Sequence, residues 1–376
     1  MASERIPITP AVLRWVREYA GLSIDDVRSG FRDVEAWELG ESFPTYPQLE
    51  KLAERYRVPV AVLLFTEPPD VPPIRESFRT LPDAEFDALP GRIVSLLRKA
   101  KALQINLTEL HDGRNPVERF IQRDLQFTSD MNVDSFARNL RLYLGISLED
   151  QIGWPGADEA FDAWRAALED HGVAVFKDAF RDEYCSGFCL YDESFPLIYV
   201  NNSAKTRQIF TLFHELAHLL FQTSGIDADT NTLESLPPGD RRIEVACNRL
   251  AAEFLLPRNR FDAEMQHRQP TERTAELLAA RYHLSREFIF RRFLGRGDIT
   301  ETEYREAAER WAGQQTPRTG GNYYWTKITY LGTRYIDLAF ARYEQERISE
   351  TELADYLDIK VRNLPMLEDY VARKLV

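Results

Sequence analysis

The chain has 376 residues, a length that suits two to four compact units of roughly 100 to 150 residues each rather than one uniform core. Hydrophobic residues make up 44% and charged residues 28%, so the chain has enough apolar surface to fold and disorder is not expected. A net charge of −13 disfavours nonspecific adhesion to nucleic acid, which needs clustered Lys and Arg, but leaves a local basic face open. No stretch approaches the roughly 20 uninterrupted apolar residues of a membrane span, and MASERIPITP lacks the basic-then-apolar order of a signal peptide. A cytoplasmic protein with no membrane partner is therefore expected. The three cysteines, Cys185, Cys189 and Cys247, are too few for a disulfide framework and lack zinc-ribbon spacing. They read as reduced, small and buried, with Cys185 and Cys189 holding a secondary claim on a metal site.

Along the chain, residues 8 to 65 show apolar positions at helical spacing in TPAVLRWVREYAGL, SIDDVRSGF, RDVEAWELG and YPQLEKLAERYRV. TEPPDVPPIRESFRTLPDAE then gathers prolines, which lack a backbone donor, and reads as a linker. Amphipathic helices follow at Arg92 to His111, Asn132 to Leu144 and Asp158 to His171. From Gly172 the pattern shortens to VAVFKDAF, SGFCLYDES and FPLIYVN, β-branched and aromatic runs between polar turns that predict a small antiparallel sheet. Thr206 to Thr223 is apolar on nearly every face and predicts a helix buried all round. A polar loop at 224 to 240 leads to a second apolar helix, Arg242 to Leu256, stopped by Pro257. More helices run to about Ala312, and the polar GQQTPRTGG opens a mostly helical C-terminal unit. The fold class is α+β and predominantly helical, with units at 1–66, 67–128, 129–313 and 314–376.

The chemistry concentrates in His214-Glu215-Leu216-Ala217-His218. Histidines four apart on a helix stand on one face, one turn apart, where both imidazoles reach one ion. Glu215 between them is placed to take a proton from water at the open coordination position and return it to a leaving amine. With only six histidines in the chain, coincidence is a poor explanation. Burying two imidazoles and a carboxylate in an apolar helix is also costly unless a metal or hydrogen bonds satisfy them. Catalytic zinc takes three protein ligands and leaves one place for water. Glu244, 26 residues after His218 in IEVACNRLAAEFLLP, is the first choice for the third ligand, and Asn248 one turn later for its support. Glu253 competes, Asp227, Asp229 and Glu234 are loop alternatives, and Glu244 could equally be a solvated first-turn residue favoured by the helix dipole.

RQIFTLFHELAHLLF followed by IEVACNRLAAEFLLP resembles the core of the ImmA/IrrE metallopeptidases. Glu244, Asn248, Ala251, Leu255, Leu256 and Pro257 match that family's second helix, while Cys247 replaces its usual Ala and Leu250 its usual Phe. The resemblance implies a zincin-like catalytic domain built on the HExxH helix, with Glu244 as the third ligand of one zinc ion. It also implies a narrow choice of substrate. Residues 11 to 65 are similar to the XRE-type helix-turn-helix often fused to such peptidases, and FRTLPD and GGNYYWTKITYLGTRYIDLAF are similar to segments of its longer members.

The N-terminal unit departs from a DNA reader. Between Ser23 and Glu38 it is short, its groove-facing stretch carries Asp33 and Glu35, and residues 1 to 65 hold eight Lys and Arg against ten Asp and Glu. Docking or homodimer formation is expected in preference to sequence-specific DNA binding. A second helix-turn-helix-like pattern, AARYHLSREFIFRRFLGRG, is basic through Arg281, Arg286, Arg291, Arg292 and Arg296, and is expected to be a helical pair with a solvated basic face.

The expected function is zinc-dependent hydrolysis of a cytosolic regulatory protein encoded nearby, in stress response or mobile-element control. His267, Tyr282 and His283 are candidate oxyanion donors by residue type. The rival readings are an antitoxin-like protein that sequesters a toxin or repressor partner around structural zinc, and a DNA-binding regulator. The intact general base favours the enzyme. Manganese or another first-row ion suits the same ligands, depending on supply.

Overall fold

The structure is a computed structural model that describes residues 5–20, 22–56, 58, 60–69, 89–181, 185–202, 205–228, 238–312 and 321–374. FRTLPD, nearly all of GQQTPRTGG, and the loop candidates Asp229 and Glu234 lie outside those residues, and only the backbone of Asp227 is described. Where the sequence suggests four segments, the chain gathers into two compact units, Met1–Ala102 and Leu103–Val376. Among the described residues no helix is long and apolar enough to cross a membrane.

The first unit holds five short helices, α1 (Pro10–Tyr19), α2 (Ile24–Arg28), α3 (Val34–Leu39), α4 (Tyr46–Tyr56) and α5 (Val60–Leu63), and the start of α6 (Gly91–Leu110). Proline at the first position suits α1, because the N–H it lacks would have no helical partner there. Helix α2 opens with a capping box in which Ser23 and Asp26 exchange side-chain and backbone bonds. Val12, Val16, Trp37, Leu49, Leu52 and Tyr56 form the buried centre. A buried bidentate pair, Arg17 Nε and Nη2 on Glu38 at 2.7 and 3.0 Å, ties α1 to α3. The short α3, six residues long, stands where a groove-reading helix is expected. Its Glu35 takes Arg28 at 2.5 Å, and Asp25 shares that guanidinium at 3.1 Å, so Arg28 is paired within the chain.

The second unit begins with α7 (Ile121–Asp124), α8 (Val133–Leu144), α9 (Leu148–Gly153) and α10 (Ala157–Asp170). Strands β1 (Ala174–Asp178), β2 (Cys185–Leu190) and β3 (Leu197–Asn201) precede α11 (Lys205–Leu220), and β4 (Ile226–Ala228) precedes α12 (Pro238–Leu255). The sheet order is β1-β3-β2-β4. The expected antiparallel sheet is instead mixed. β2 runs antiparallel to both β3 and β4, but β1 pairs parallel with β3 in the register Ala174↔Leu197 to Asp178↔Asn201. Both β1 and β3 are buried along nearly their whole length, and strands covered on both faces lack the polar alternation that marks antiparallel pairs.

Helix α11 is buried from Gln208 to Leu220 apart from Phe210, because it packs on the sheet, on α10 and on α12. Three rings hold this assembly. Trp164 of α10 meets Phe213 of α11 edge-on at 4.9 Å, and Phe213 stacks on Phe254 of α12 at 4.2 Å.

Helices α13 (Arg258–Met265), α14 (Glu272–Tyr282), α15 (Arg286–Arg296) and α16 (Glu301–Ala312) follow, then α17 (Tyr323–Leu331), α18 (Thr333–Glu344), α19 (Glu350–Tyr356) and α20 (Leu364–Lys374). The C-terminal helices belong to the same compact unit as the sheet because buried Arg165 joins them. Its guanidinium donates to the carbonyls of Thr329, at 3.0 Å, and Val175, and pairs with Glu169 at 3.0 Å. Gly332, at φ +84°, leaves the room this needs, since a Cβ there would lie 2.3 Å from the guanidinium. The GGNYYWTKITYLGTRYIDLAF segment thus has a structural role.

Lys177 on β1 is buried, its ammonium 3.2 Å from the centre of the Phe161 ring. Burial, with Arg165 behind it, pulls its pKa from 10.5 down to about 7. Between those two values the unfolded chain keeps the proton and the folded chain has lost it, so this group makes stability rise with pH across that window. Lys177→Met is expected to flatten that rise, as read from urea midpoints measured between about pH 7 and 10.

Candidate metal centre

Helix α11 presents His214 and His218 one turn apart on the face toward α12, and α12 presents Glu244 in return. The three side chains converge. His214 Nε2 and His218 Nε2 are 3.2 Å apart, His214 Nε2 lies 3.4 Å from Glu244 Oε2, and His218 Nε2 lies 3.1 Å from Glu244 Oε1. This His–His–Glu set is the one group among the described residues able to hold a metal ion. Ligand atoms about 2.0 to 2.2 Å from a tetrahedral zinc stand roughly 3.3 Å from each other, close to all three observed separations. The donor chemistry agrees, since two imidazole nitrogens and a carboxylate are borderline ligands suited to zinc.

Burial sharpens the site. His214, Glu215 and His218 are almost wholly covered, while Glu244 keeps 20% of its side chain exposed. Burial by itself would push the Glu244 carboxyl up, but hydrogen bonds from His214 and His218, and their charge, hold it well below the usual range. Two thiols adjoin the carboxylates. Burial raises Cys189 far above the ordinary value and Glu215 adds to it; burial also raises Cys247, with Glu244 and Glu215 adding to it. All three cysteines are buried, as expected, and none belongs to the converging group.

Two glycines set how closely the neighbouring chain approaches α11. A Cβ on Gly187 in β2 would lie 2.4 Å from the Thr211 methyl, and one on Gly225 would lie 2.8 Å from the His218 ring. Sequence reading did not single out either. A glycine interrupting the apolar SGFCLY run is the available signal, since glycine within a strand often marks a close approach. Phe210, also not singled out, stacks beside His214 with ring centres 6.3 Å apart.

Glu253 accepts from Arg292 at 2.9 Å and from the Arg258 N–H at 2.9 Å, so it supports the turn into α13. Asn248 sits one turn beyond Glu244 and is half-buried. Tyr282 donates its hydroxyl to Glu264 at 2.8 Å and accepts from Arg260 at 3.0 Å. His283 caps α14 at φ +56°, with its ring against Trp154 at 6.4 Å, and His267 is exposed.

Most of the basic stretch faces carboxylates of the chain itself. Arg281 faces Glu264 at 3.5 Å, Arg286 faces Glu276 at 3.6 Å, Arg292 pairs with Glu253, and Arg296 bridges Asp262 and Asp298 at 2.5 and 2.7 Å. Arg291 lies over the Tyr304 ring at 6.0 Å.

Gly225→Ala tests the packing on His218. It is expected to lower zinc affinity on the order of tenfold without unfolding the chain, measured by competition with a chromophoric chelator alongside circular dichroism.

No curated protein sequence matches the chain significantly. Residues 168–294, which run from the end of α10 into α15 and contain the whole His–His–Glu group, match the family model described as the IrrE N-terminal-like domain, Peptidase M78.

Proposed function

We propose that the chain is a zinc-dependent endopeptidase that cuts one particular cytosolic regulatory protein, encoded nearby, in stress response or mobile-element control. The observation that carries this reading is the convergence of His214, His218 and Glu244 around one point, with Glu215 held between the two histidines on the same buried helix. A zinc ion held by those three side chains supplies Lewis acidity at the scissile carbonyl and lowers the pKa of water to roughly 7. Glu215 takes the proton from the attacking water and delivers it to the departing nitrogen. With a zinc ion bound, His214 and His218 would turn their Nε2 lone pairs to it as neutral imidazoles, giving up the protons they share with Glu244 in its absence. Glu244 adds the negative charge that offsets the dication. The surrounding apolar faces of α11 and α12 exclude bulk water, which strengthens each of these interactions.

The burial of His214, Glu215 and His218 supports a second reading, in which zinc is structural and the chain sequesters a toxin or repressor partner. DNA recognition has less support, because Arg28, Arg281, Arg286, Arg292 and Arg296 are all paired with carboxylates of the chain itself.

The deciding experiment combines metal content with a cleavage screen of neighbouring-gene products. The peptidase reading expects one zinc per chain and a specific cut. It expects loss of zinc in Glu244→Ala, and a rate at least about 10²-fold lower in Glu215→Gln with the metal retained. A stable, uncut complex that forms equally well with Glu215→Gln would replace it with the sequestering reading.

A further inference from the structure

The second unit contains a cavity of about 190 Å³ at the end of the sheet where β1 and β3 begin. Its apolar wall comes from Leu107 on α6, Val117, Val173, Phe176 on β1, Phe195 and Leu338 on α18. The pocket is half open to solvent, and a ligand seated in it would give its apolar wall dispersion contacts. An apolar cavity of roughly 150 Å³ takes up a benzene molecule, so this one has room for a single ring with a small substituent.

The polar groups on the wall narrow the choice. Glu169 is matched by Arg165 at 3.0 Å and Arg334 at 3.8 Å, and Arg334 also pairs with Asp170. No charge is left over to attract an ion of either sign. Asn115 spends its amide on the carbonyls of Gly172 and Ser194 at 3.1 and 2.7 Å, and the Tyr335 hydroxyl donates to the Tyr356 carbonyl at 3.0 Å. His111 differs. Its ring is held by stacking on Phe195, with centres 5.6 Å apart and planes 13° apart, rather than by a hydrogen bond. Burial, then Arg342, keeps its pKa below the ordinary value, so near pH 7 it offers one neutral donor and one neutral acceptor.

We propose that this cavity is a binding site for a neutral, single-ring aromatic molecule bearing one hydroxyl, with the ring among the apolar side chains and the hydroxyl on the imidazole of His111. Fully matched charges and a lone neutral hydrogen-bonding ring disfavour an aromatic carboxylate, whose desolvation nothing on the wall repays.

The test is calorimetry on the full chain with phenol, toluene and benzoate as probes. Phenol and toluene are expected to bind, phenol about fivefold more tightly, and benzoate at least about tenfold more weakly than phenol. His111→Leu is expected to erase the preference for phenol while leaving toluene affinity unchanged. Leu338→Trp, which fills the cavity, is expected to abolish binding of both. Should Leu338→Trp fail to fold, the phenol-to-toluene ratio in His111→Leu decides alone. The proposal is overturned if no probe binds at millimolar concentration, if benzoate binds best, or if the phenol preference survives in His111→Leu.

Discussion

The whole arrangement depends on bringing four polar side chains, two imidazoles and two carboxylates, into the apolar contact between α11 and α12. Burying such groups unsatisfied is costly, so the site is stable only where they answer one another and a shared cation. That requirement dictates the packing around it. Phe213 and Phe254 clamp the two helices, Trp164 closes the third side, and Gly187 and Gly225 let the backbone come close to Thr211 and His218. A displacement of an ångström at either helix would open the His–His–Glu triangle, so the hydrophobic core and the chemistry are one construction.

Arginine serves cohesion in this chain more than recognition. Arg17 ties the first unit through Glu38, Arg165 joins α10, β1 and the C-terminal helices, and Arg292 secures the end of α12 through Glu253 and the Leu256 carbonyl. Planar, multidentate donors suit such joints, because one guanidinium can satisfy several carbonyl and carboxylate oxygens at once. The same pairing withdraws these charges from any phosphate backbone. In AARYHLSREFIFRRFLGRG most of the arginines face carboxylates of the chain itself, while Arg291 lies over the Tyr304 ring.

Much of the site was legible before the structure. The i, i+4 histidines with a glutamate between them follow from helical geometry, and the apolar character of Ile209 to Leu220 announced a buried helix. Strand direction was not legible, because β1 and β3 are covered on both faces and carry no alternation to read. The partners of Tyr282, His283 and Arg281 were equally hidden, since residue type says nothing of which distant carboxylate or ring a side chain will meet.

Local spacing determined that α11 carries His214 and His218 on one face, because residues four apart differ by only about 40° of rotation, with Glu215 about 100° round from His214. Tertiary structure alone decided which carboxylate completes the set. Glu244 and Glu253 sit on one helix nine residues apart, about 900° of rotation at roughly 100° per residue, and so on opposite faces. Periodicity establishes that they oppose each other but not which of the two meets α11. The packing of α12 on α11 turns Glu244 to the histidines and Glu253 to Arg292, and it is the depth of the apolar contact around Phe213 and Phe254 that sets that rotation.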